Sequence, residues 1–173
     1  MNSPEYIHCS SCGDEVTSDS EFCPHCGALF TETGSVWCDN HPEAEAEGIC
    51  IICRVLACAE CGKTVHGKYL CLDHTDVEVQ QDWARVFQST DINDSSLAKA
   101  FLESNGFKVL VQNFNSIGYV WDGGGDSSIS RSALSKPAKV FVPIPEFLKA
   151  EAALVEWKSG EAEPNERDLD NRP

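Results

Sequence analysis

The sequence has no long hydrophobic run and little positive charge. Its 173 residues include 28 acidic and 13 basic side chains, so the formal net charge is −15 at pH 7. This surplus argues against electrostatic binding to nucleic acid or to an anionic membrane, because both need a positive protein face. No segment approaches the roughly 20 apolar residues of a membrane helix, and the first residues, MNSPEY, lack the pattern of a secretory signal. We therefore expect a soluble, cytoplasmic protein without membrane contact.

Cysteine and histidine are missing from the sequence beyond His74, and all ten cysteines lie between Cys9 and Cys71. A reducing cytoplasm does not maintain disulfides, so we expect these cysteines to bind metal ions. The absence of both residue types from the second half also excludes a catalytic arrangement of Cys with His, or of Ser with His and Asp, in that half.

The charged residues divide the chain in the same way. Residues 1–74, called the head below, hold 12 acidic and 3 basic side chains, and residues 83–158 hold eight of each sign. Between them, residues 76–82 are predicted to be an acidic linker. Residues 159–173 have five acidic and two basic side chains and contain proline, so we expect a disordered acidic tail. A neutral segment therefore lies between an acidic, cysteine-rich head and an acidic tail.

Six short pairs of candidate metal ligands organise the head. Two residues separate the members of each pair, a spacing that lets one tight turn present both side chains to one metal ion while backbone N–H groups face the sulfurs. The pairs are Cys9 with Cys12, Cys23 with Cys26, Cys38 with His41, Cys50 with Cys53, Cys58 with Cys61, and Cys71 with His74. Two pairs complete one tetrahedral zinc site. The twelve ligands thus predict three zinc ions, and no cysteine is left over.

Glycine directly follows three of the pairs, at Gly13, Gly27 and Gly62. We expect a positive φ at these positions, which glycine adopts at little cost.

The first two pairs resemble the two knuckles of a minimal zinc ribbon. Their sequences are YIHCSSCG and FCPHCGALF, with ten residues between Cys12 and Cys23. The resemblance implies a ribbon over residues 1–32 with one zinc ion held by Cys9, Cys12, Cys23 and Cys26. His8 and His25 lie beside or inside these knuckles. Because the four cysteines already complete the site, we expect both histidines to face solvent.

The other four pairs can close in two ways. Sequential closure would group Cys38, His41, Cys50 and Cys53, and then Cys58, Cys61, Cys71 and His74. Interleaved closure would group Cys38, His41, Cys58 and Cys61, and then Cys50, Cys53, Cys71 and His74. Spacing alone does not decide, because the four residues between Cys53 and Cys58 separate two metals in either scheme.

The motifs WCDNHPE, CIIC, CAECG and YLCLDH resemble the B-box type zinc finger in its short prokaryotic form. That family binds two zinc ions in a cross-brace, so the resemblance implies interleaved closure over residues 36–75. His66 is an extra candidate that could replace Cys71 or His74 as a ligand. A miniature core between the two metals is expected from Ile49, Ile51, Ile52, Val55 and Leu56.

Every predicted site has four protein ligands, most of them thiolates. A catalytic zinc ion usually keeps an open position beside three protein ligands. The predicted sites therefore favour a structural role for zinc, and we expect a protein that is not an enzyme.

Residues 83–158 predict an α+β domain. Residues 83–88, 107–111 and 139–143 have the patterns of strands. A first helix closes at Asn105-Gly106. Its apolar stripe is Leu97, Ala98, Phe101 and Leu102. The stripe of a last helix is Phe147, Ala150, Leu154 and Trp157. The order β-α-β-β-α is typical of a ferredoxin-like domain.

The same segment resembles a small family described as a prokaryotic signal-transducing domain. The likeness rests on SLAKAFLESNGF at 96–107 and VFVP at 140–143, and it implies a role in signalling. The loop WDGGGD at 121–126 lacks the Gly-x-x-x-x-Gly-Lys-Ser pattern of a phosphate-binding loop, and its two aspartates would repel an anion. We expect a flexible loop there.

These features favour a non-catalytic zinc-binding adaptor that acts in signalling through contacts with unidentified protein partners. The alternative is a nucleic-acid or transcription-machinery binder that uses the ribbon. That alternative needs a basic stripe, and the head has only Arg54, Lys63 and Lys68. No feature indicates a small-molecule substrate.

Overall fold

The computed structural model describes residues 5–30, 35–113 and 136–161. The chain divides into two compact units, residues 1–84 and residues 85–173. The predicted loop at 121–126 lies outside the described residues, as does the predicted tail from residue 162 onward. The first residues of that predicted tail, 159–161, belong instead to the last helix.

The first unit consists of short antiparallel hairpins. Strand β1 (Tyr6–His8) pairs with β2 (Glu15–Thr17), and Ile7 lies opposite Val16. Strands β3 (Gly48–Ile49) and β4 (Leu56–Ala57) form a second hairpin. Strands β5 (Gly62–Val65) and β6 (Lys68–Cys71) form a third, followed by a 3-10 turn at Leu72–His74.

Most ligand pairs lie at the tip of one of these small ladders. The β1–β2 hairpin encloses Cys9 and Cys12, and the β3–β4 hairpin encloses Cys50 and Cys53. Isolated bridges from Phe22 to Leu29 and from Trp37 to Glu45 enclose two further pairs in the same way. An antiparallel ladder brings the two ends of a turn together, so each of these turns presents its two ligands on one side.

The core of the first unit is small. Of the five residues predicted to form a miniature core, Ile49, Ile51 and Ile52 are buried, whereas Val55 and Leu56 are only half-buried. In the ribbon, Val16 packs with Cys9, Cys23 and Cys26. Such a core is too small to stabilise a fold alone, and units of this size usually need staples such as metal ions.

The predicted ribbon and cross-brace share one hydrogen-bonded frame. The N–H of Tyr69 donates to the carbonyl of Cys26 at 2.8 Å, and the N–H of Ile49 donates to the carbonyl of Gly27 at 2.9 Å. Nζ of Lys68 donates to the carbonyl of His25 at 2.7 Å. The two predicted modules therefore form a single compact unit.

The second half has the predicted order of elements with one addition. Strand β8 (Trp83–Ser89) leads to helix α1 (Ile92–Ser104), strand β9 (Leu110–Gln112), strand β10 (Ala138–Pro143), a 3-10 turn (Ile144–Glu146) and helix α2 (Phe147–Glu161). The addition is strand β7 (Val79–Gln80), which lies in the predicted linker and pairs with the start of β8. The strand order is β7–β8–β10–β9.

The start of β9 differs from the prediction, which placed a strand at 107–111. Gly106 ends α1 with φ +85, and its N–H donates to the carbonyl of Glu103 at 3.0 Å. The N–H of Phe107 donates to the carbonyl of Leu102 at 3.1 Å. These two bonds form a Schellman cap. The cap uses the N–H of Phe107, and pairing with β10 begins at Leu110.

The predicted apolar stripe of α1 is correct for Ala98 and Leu102, which are fully buried, and wrong for Leu97, which is 57% exposed. Ser95 takes the buried position instead, and its hydroxyl lies 3.4 Å from the carbonyl of Ala138. Helix α1 begins at the cap Asp91, whose side chain accepts from the N–H of Asn93.

The buried face of α2 is formed as predicted. Phe147, Ala150 and Leu154 are buried, and Trp157 stacks on Phe101 with ring centroids 5.3 Å apart. Strand β10 is buried on both faces through Val140, Phe141 and Val142, as expected for a central strand. The described residues contain no strand after α2, so the ferredoxin-like arrangement stays a prediction.

Candidate metal centres

The structure brings the twelve predicted ligands together in three groups of four, with donor atoms within 4.8 Å of one another. Group one is Cys9, Cys12, Cys23 and Cys26. Group two is Cys38, His41, Cys58 and Cys61, and group three is Cys50, Cys53, Cys71 and His74. Groups two and three correspond to interleaved closure. His66 is in none of these groups, because it lies in the exposed turn between β5 and β6 with φ 49.

Distances in group one match the edges of a zinc tetrahedron. Zn–S bonds of about 2.3 Å place two ligand sulfurs about 3.8 Å apart. The Sγ atoms of Cys9 and Cys26 are 3.7 Å apart, and those of Cys12 and Cys23 are 3.6 Å apart. A disulfide would require about 2.05 Å. The spacing and the four soft donors therefore fit one zinc ion.

Groups two and three each add one imidazole to three sulfurs. Zn–N and Zn–S bonds of ordinary length place nitrogen and sulfur about 3.6 Å apart. Nδ1 of His41 lies 3.4 Å from Sγ of Cys58 and 3.3 Å from that of Cys61. Nδ1 of His74 lies 3.7 Å from Sγ of Cys50 and 3.1 Å from that of Cys71. Each group can hold one zinc ion, which makes three in all.

Four of the knuckles close with the same backbone hydrogen bond. The residue after the pair donates its N–H to the carbonyl of the first cysteine, from Gly13 at 2.8 Å, Gly27 at 2.9 Å, Arg54 at 2.9 Å and Gly62 at 3.0 Å. Gly13 and Gly27 have the expected positive φ of 80 and 81. Arg54 adopts the same left-handed backbone with φ 65, although no glycine marks it in the sequence.

The expectation of a positive φ is wrong for Gly62, whose role is steric. A Cβ atom at this position would lie 2.9 Å from Cε1 of Tyr69. Gly62 is therefore required by the close approach of an aromatic ring.

Backbone N–H groups favour ionisation of four of the cysteines. Desolvation opposes ionisation of Cys9, but N–H groups of Cys12 and Ser11 hydrogen-bond to its sulfur and lower its pKa to about 7. At Cys38, Cys50 and Cys58 desolvation again opposes ionisation, and nearby backbone N–H groups outweigh it, so the pKa of each thiol is lowered. These four cysteines are the first members of their pairs.

Other thiols in the same groups have the opposite shift. Desolvation raises the pKa of Cys26 to about 11 and that of Cys12 as well. Desolvation and the charge of Cys50 raise the pKa of Cys71 to about 12. Each group thus contains thiols that ionise readily and thiols that resist ionisation while no cation neutralises their neighbours. A divalent cation neutralises the charge of the thiolates, so that the remaining thiols of the group can ionise as well.

The two histidines of the ribbon knuckles, His8 and His25, differ in their surroundings. His8 is exposed, as expected, with Nδ1 3.2 Å from the carbonyl oxygen of Gly13. His25 is only half-exposed, and its Nδ1 lies 3.1 Å from Oδ1 of Asp82. Local sequence could not reveal this partner, since it lies 57 residues away.

An open cleft of about 660 Å³ lies beside group two. It is bordered by His41 and Cys58 of that group and by four glutamates, Glu43, Glu45, Glu47 and Glu60. Neither lysine nor arginine is among its lining residues. The cleft therefore presents negative charge at its rim.

Fold and sites together define a small α+β protein whose first unit is built around three thiolate-rich zinc sites. Residues 8–29 match the family model of the zinc-ribbon domain. This match confirms the zinc ribbon predicted for the N-terminal segment. No curated protein and no solved structure matches the chain. Within the described residues, no helix has the length and apolar character needed to span a bilayer.

Proposed function

We propose that this protein is a non-catalytic, zinc-binding adaptor that acts through contacts with other proteins. The observation that carries the proposal is the saturation of each metal group. Each one offers four cysteine or histidine donors with tetrahedral spacing, so zinc has no open position for a substrate or an activated water.

Zinc in such sites has a structural task. A structural zinc ion contributes roughly 10–16 kcal/mol of apparent binding free energy, which is also folding free energy where the site does not exist in the unfolded chain. Most of the hairpins of the first unit have two to four residues per strand. Metal binding can therefore stabilise the folded surface of the first unit, which the small core of that unit could not stabilise alone.

The charge of that surface favours a protein partner with basic side chains. The head carries 12 acidic residues and 3 basic ones. The ten thiolates of the three groups outnumber the six positive charges of three zinc ions, so metal loading leaves the head more acidic still. The glutamate-rimmed cleft beside group two concentrates this charge.

The alternative, binding of nucleic acid through the ribbon, has little support from the few cations available. Nζ of Lys68 donates to the carbonyl of His25, and the guanidinium of Arg54 lies over the ring of Phe22 at 5.3 Å. Two of the three cations of the head thus already have a partner within the protein, and nucleic-acid affinity depends on several phosphate contacts.

Two resemblances support the signalling part of the proposal. The interleaved grouping is the ligand arrangement of the B-box cross-brace, a module of protein–protein contact. The β-α-β-β-α order agrees with the likeness of residues 83–158 to the prokaryotic signal-transducing domain. We place the protein in the cytoplasm, because zinc thiolates persist where thiols stay reduced.

The test is affinity capture from the native cell with the zinc-loaded protein as bait. The test variant is Glu43→Gln/Glu47→Gln/Glu60→Gln, which removes three of the four carboxylates at the cleft without touching a ligand. The matched control is Glu15→Gln/Asp19→Asn/Glu21→Gln, which removes the same charge from exposed positions of the ribbon. We expect a defined protein partner that the control retains and the cleft variant loses. Capture of nucleic acid alone, or equal capture by both variants, would contradict the proposal.

A further inference from the structure

Tyr69 lies where all three metal groups meet. Its N–H donates to the carbonyl of Cys26, a ligand of group one, at 2.8 Å. Its carbonyl accepts from the N–H of Ile51, in the knuckle of group three, at 3.1 Å. Its hydroxyl lies 2.7 Å from the carbonyl oxygen of Ala57 and 3.2 Å from that of Cys58, a ligand of group two. One residue thus contacts the backbone of every group.

Three glycines make room for this side chain. A Cβ atom would lie 2.9 Å from Cβ of Tyr69 at Gly27, 2.5 Å from Cγ at Gly48 and 2.9 Å from Cε1 at Gly62. All three distances are shorter than real Cβ atoms tolerate. Tyr69 itself is 6% exposed. The ring is therefore held in a slot that other residues in place of these glycines would close.

The backbone hydrogen bonds of Tyr69 and the contacts of its hydroxyl connect different metal groups. The backbone bonds of Tyr69 join groups one and three, and they would persist with any side chain. The hydroxyl reaches the carbonyls of Ala57 and Cys58 in the segment of group two. A second link joins groups two and three without this side chain, because Gly62 pairs with Cys71 and the N–H of Leu72 donates to the carbonyl of Cys61 at 2.9 Å.

We propose that Tyr69 is a positioning residue that couples zinc binding at the three sites. Loss of zinc from one group frees its knuckle, and the bonds to Tyr69 transmit that loss of order to the other knuckles. By linkage the effect is reciprocal, so each bound zinc ion raises the affinity of the remaining sites. The Tyr69 hydroxyl carries part of the coupling between group two and the other groups, beside the backbone link from Leu72 to Cys61.

The test removes group two and asks whether the other groups respond. Cys61→Ser takes away a half-exposed ligand of that group. The full chain is titrated with a zinc chelator, and native mass spectrometry counts the ions that remain. In the Tyr69 background, Cys61→Ser should lower the zinc affinity of groups one and three by roughly 5- to 150-fold, the usual range of coupling between sites.

The Tyr69→Phe background separates coupling from general damage. This variant keeps the ring and the backbone bonds and loses only the hydroxyl, and the carbonyl of Ala57 still accepts from the N–H of Glu47 at 2.9 Å. Here Cys61→Ser should lower the affinity of groups one and three by a clearly smaller factor than in the Tyr69 background, because the part of the coupling that passes through the hydroxyl is missing. Tyr6→Phe, at a tyrosine that is 59% exposed, is the matched control and should behave as the unmodified chain does.

Two results would overturn the proposal. One is that Cys61→Ser leaves zinc retention at groups one and three unchanged in the Tyr69 background. The other is that it weakens retention equally in the Tyr69 background and in the Tyr69→Phe background. Should Tyr69→Phe alone hold fewer than three zinc ions at saturation, thiol alkylation shows which group has lost its ion. Loss that extends to groups one or three supports the proposal, and loss confined to group two contradicts it.

Discussion

Nδ1 of His41 lies 3.3 Å from Sγ of Cys61, while Cys50 and Cys53, which stand between these two residues in the chain, belong to a different metal group. The chain thus begins group two, starts group three, returns to complete group two and then completes group three. Any contiguous piece of chain that contains all four ligands of one of these groups also contains two ligands of the other. Residues 38–74 are therefore expected to fold as one zinc-dependent unit.

Replacing one ligand tests this interleaving. Cys58→Ser removes a sulfur from group two, so we expect the zinc ion held with Cys38 and His41 to be lost first. Thiol alkylation followed by mass spectrometry would then label Cys38 and Cys61 before any other cysteine. Sequential closure makes a different prediction, because labelling would then appear first at Cys61 and Cys71.

Removal of zinc should act on the first unit alone. Structural zinc supplies roughly 10–16 kcal/mol per site, which equals or exceeds the usual total stability of a domain. The second unit contains no predicted ligand and has its own buried residues in α1, β10 and α2. With a strong chelator, hydrogen exchange should become fast across residues 5–84 and stay slow in the core of 85–161, and added zinc should reverse the change. Simultaneous loss of protection in both units would contradict the account.

Zinc affinity should fall as the pH is lowered. Zinc binds thiolates, so metal loading depresses the pKa of each cysteine ligand below its value in the unfolded chain. A depressed pKa contributes stability that is present above the unfolded pKa and is lost as the pH falls through the folded one.

The measurement is calorimetry of zinc binding at neutral pH in buffers of different ionisation enthalpy. Metal-free Cys26 and Cys71, with pKa values raised to about 11 and about 12, are protonated at neutral pH and must give up their protons on binding. We expect net proton release and a lower zinc affinity at pH 6 than at pH 8. Zinc affinity independent of pH would show that thiolates are not the ligands.

Two leucines on α1 provide a matched pair for the second unit. Leu102 is fully buried, and Leu97 is 57% exposed. Leu102→Ala should lower the free energy of unfolding by about 2–5 kcal/mol, whereas Leu97→Ala should change it by less than about 0.5 kcal/mol. Denaturant unfolding followed by helix circular dichroism measures both. Equal effects of the two substitutions would contradict the helix orientation described above.

Sequence patterns predicted the features that depend on residues close together in the chain. The two-residue spacing of Cys and His pairs identified the twelve donors, because only a tight turn brings two such side chains to one metal. Spacing could not choose between sequential and interleaved closure, which depends on how hairpins pack. That choice rested on a resemblance, and the structure places His41 beside Cys58 and Cys61.

The features that sequence missed depend on distant partners. Tyr69 shows no local pattern, since its slot is made by glycines at positions 27, 48 and 62. Arg54 has a left-handed backbone that glycine would usually mark. Leu97 fitted an apolar stripe, but the buried face of α1 is turned toward Ser95, Ala98 and Leu102.

Zinc content combined with X-ray absorption at the zinc edge measures whether protein ligands saturate the three metal sites. The twelve donors, ten sulfurs and two imidazole nitrogens, should saturate three tetrahedral sites. We predict close to three zinc ions per chain, coordinated by sulfur and nitrogen with no oxygen ligand. A single zinc ion per chain, an iron site at group one, or a zinc-bound oxygen would contradict the account, because an open coordination position would restore the possibility of catalysis.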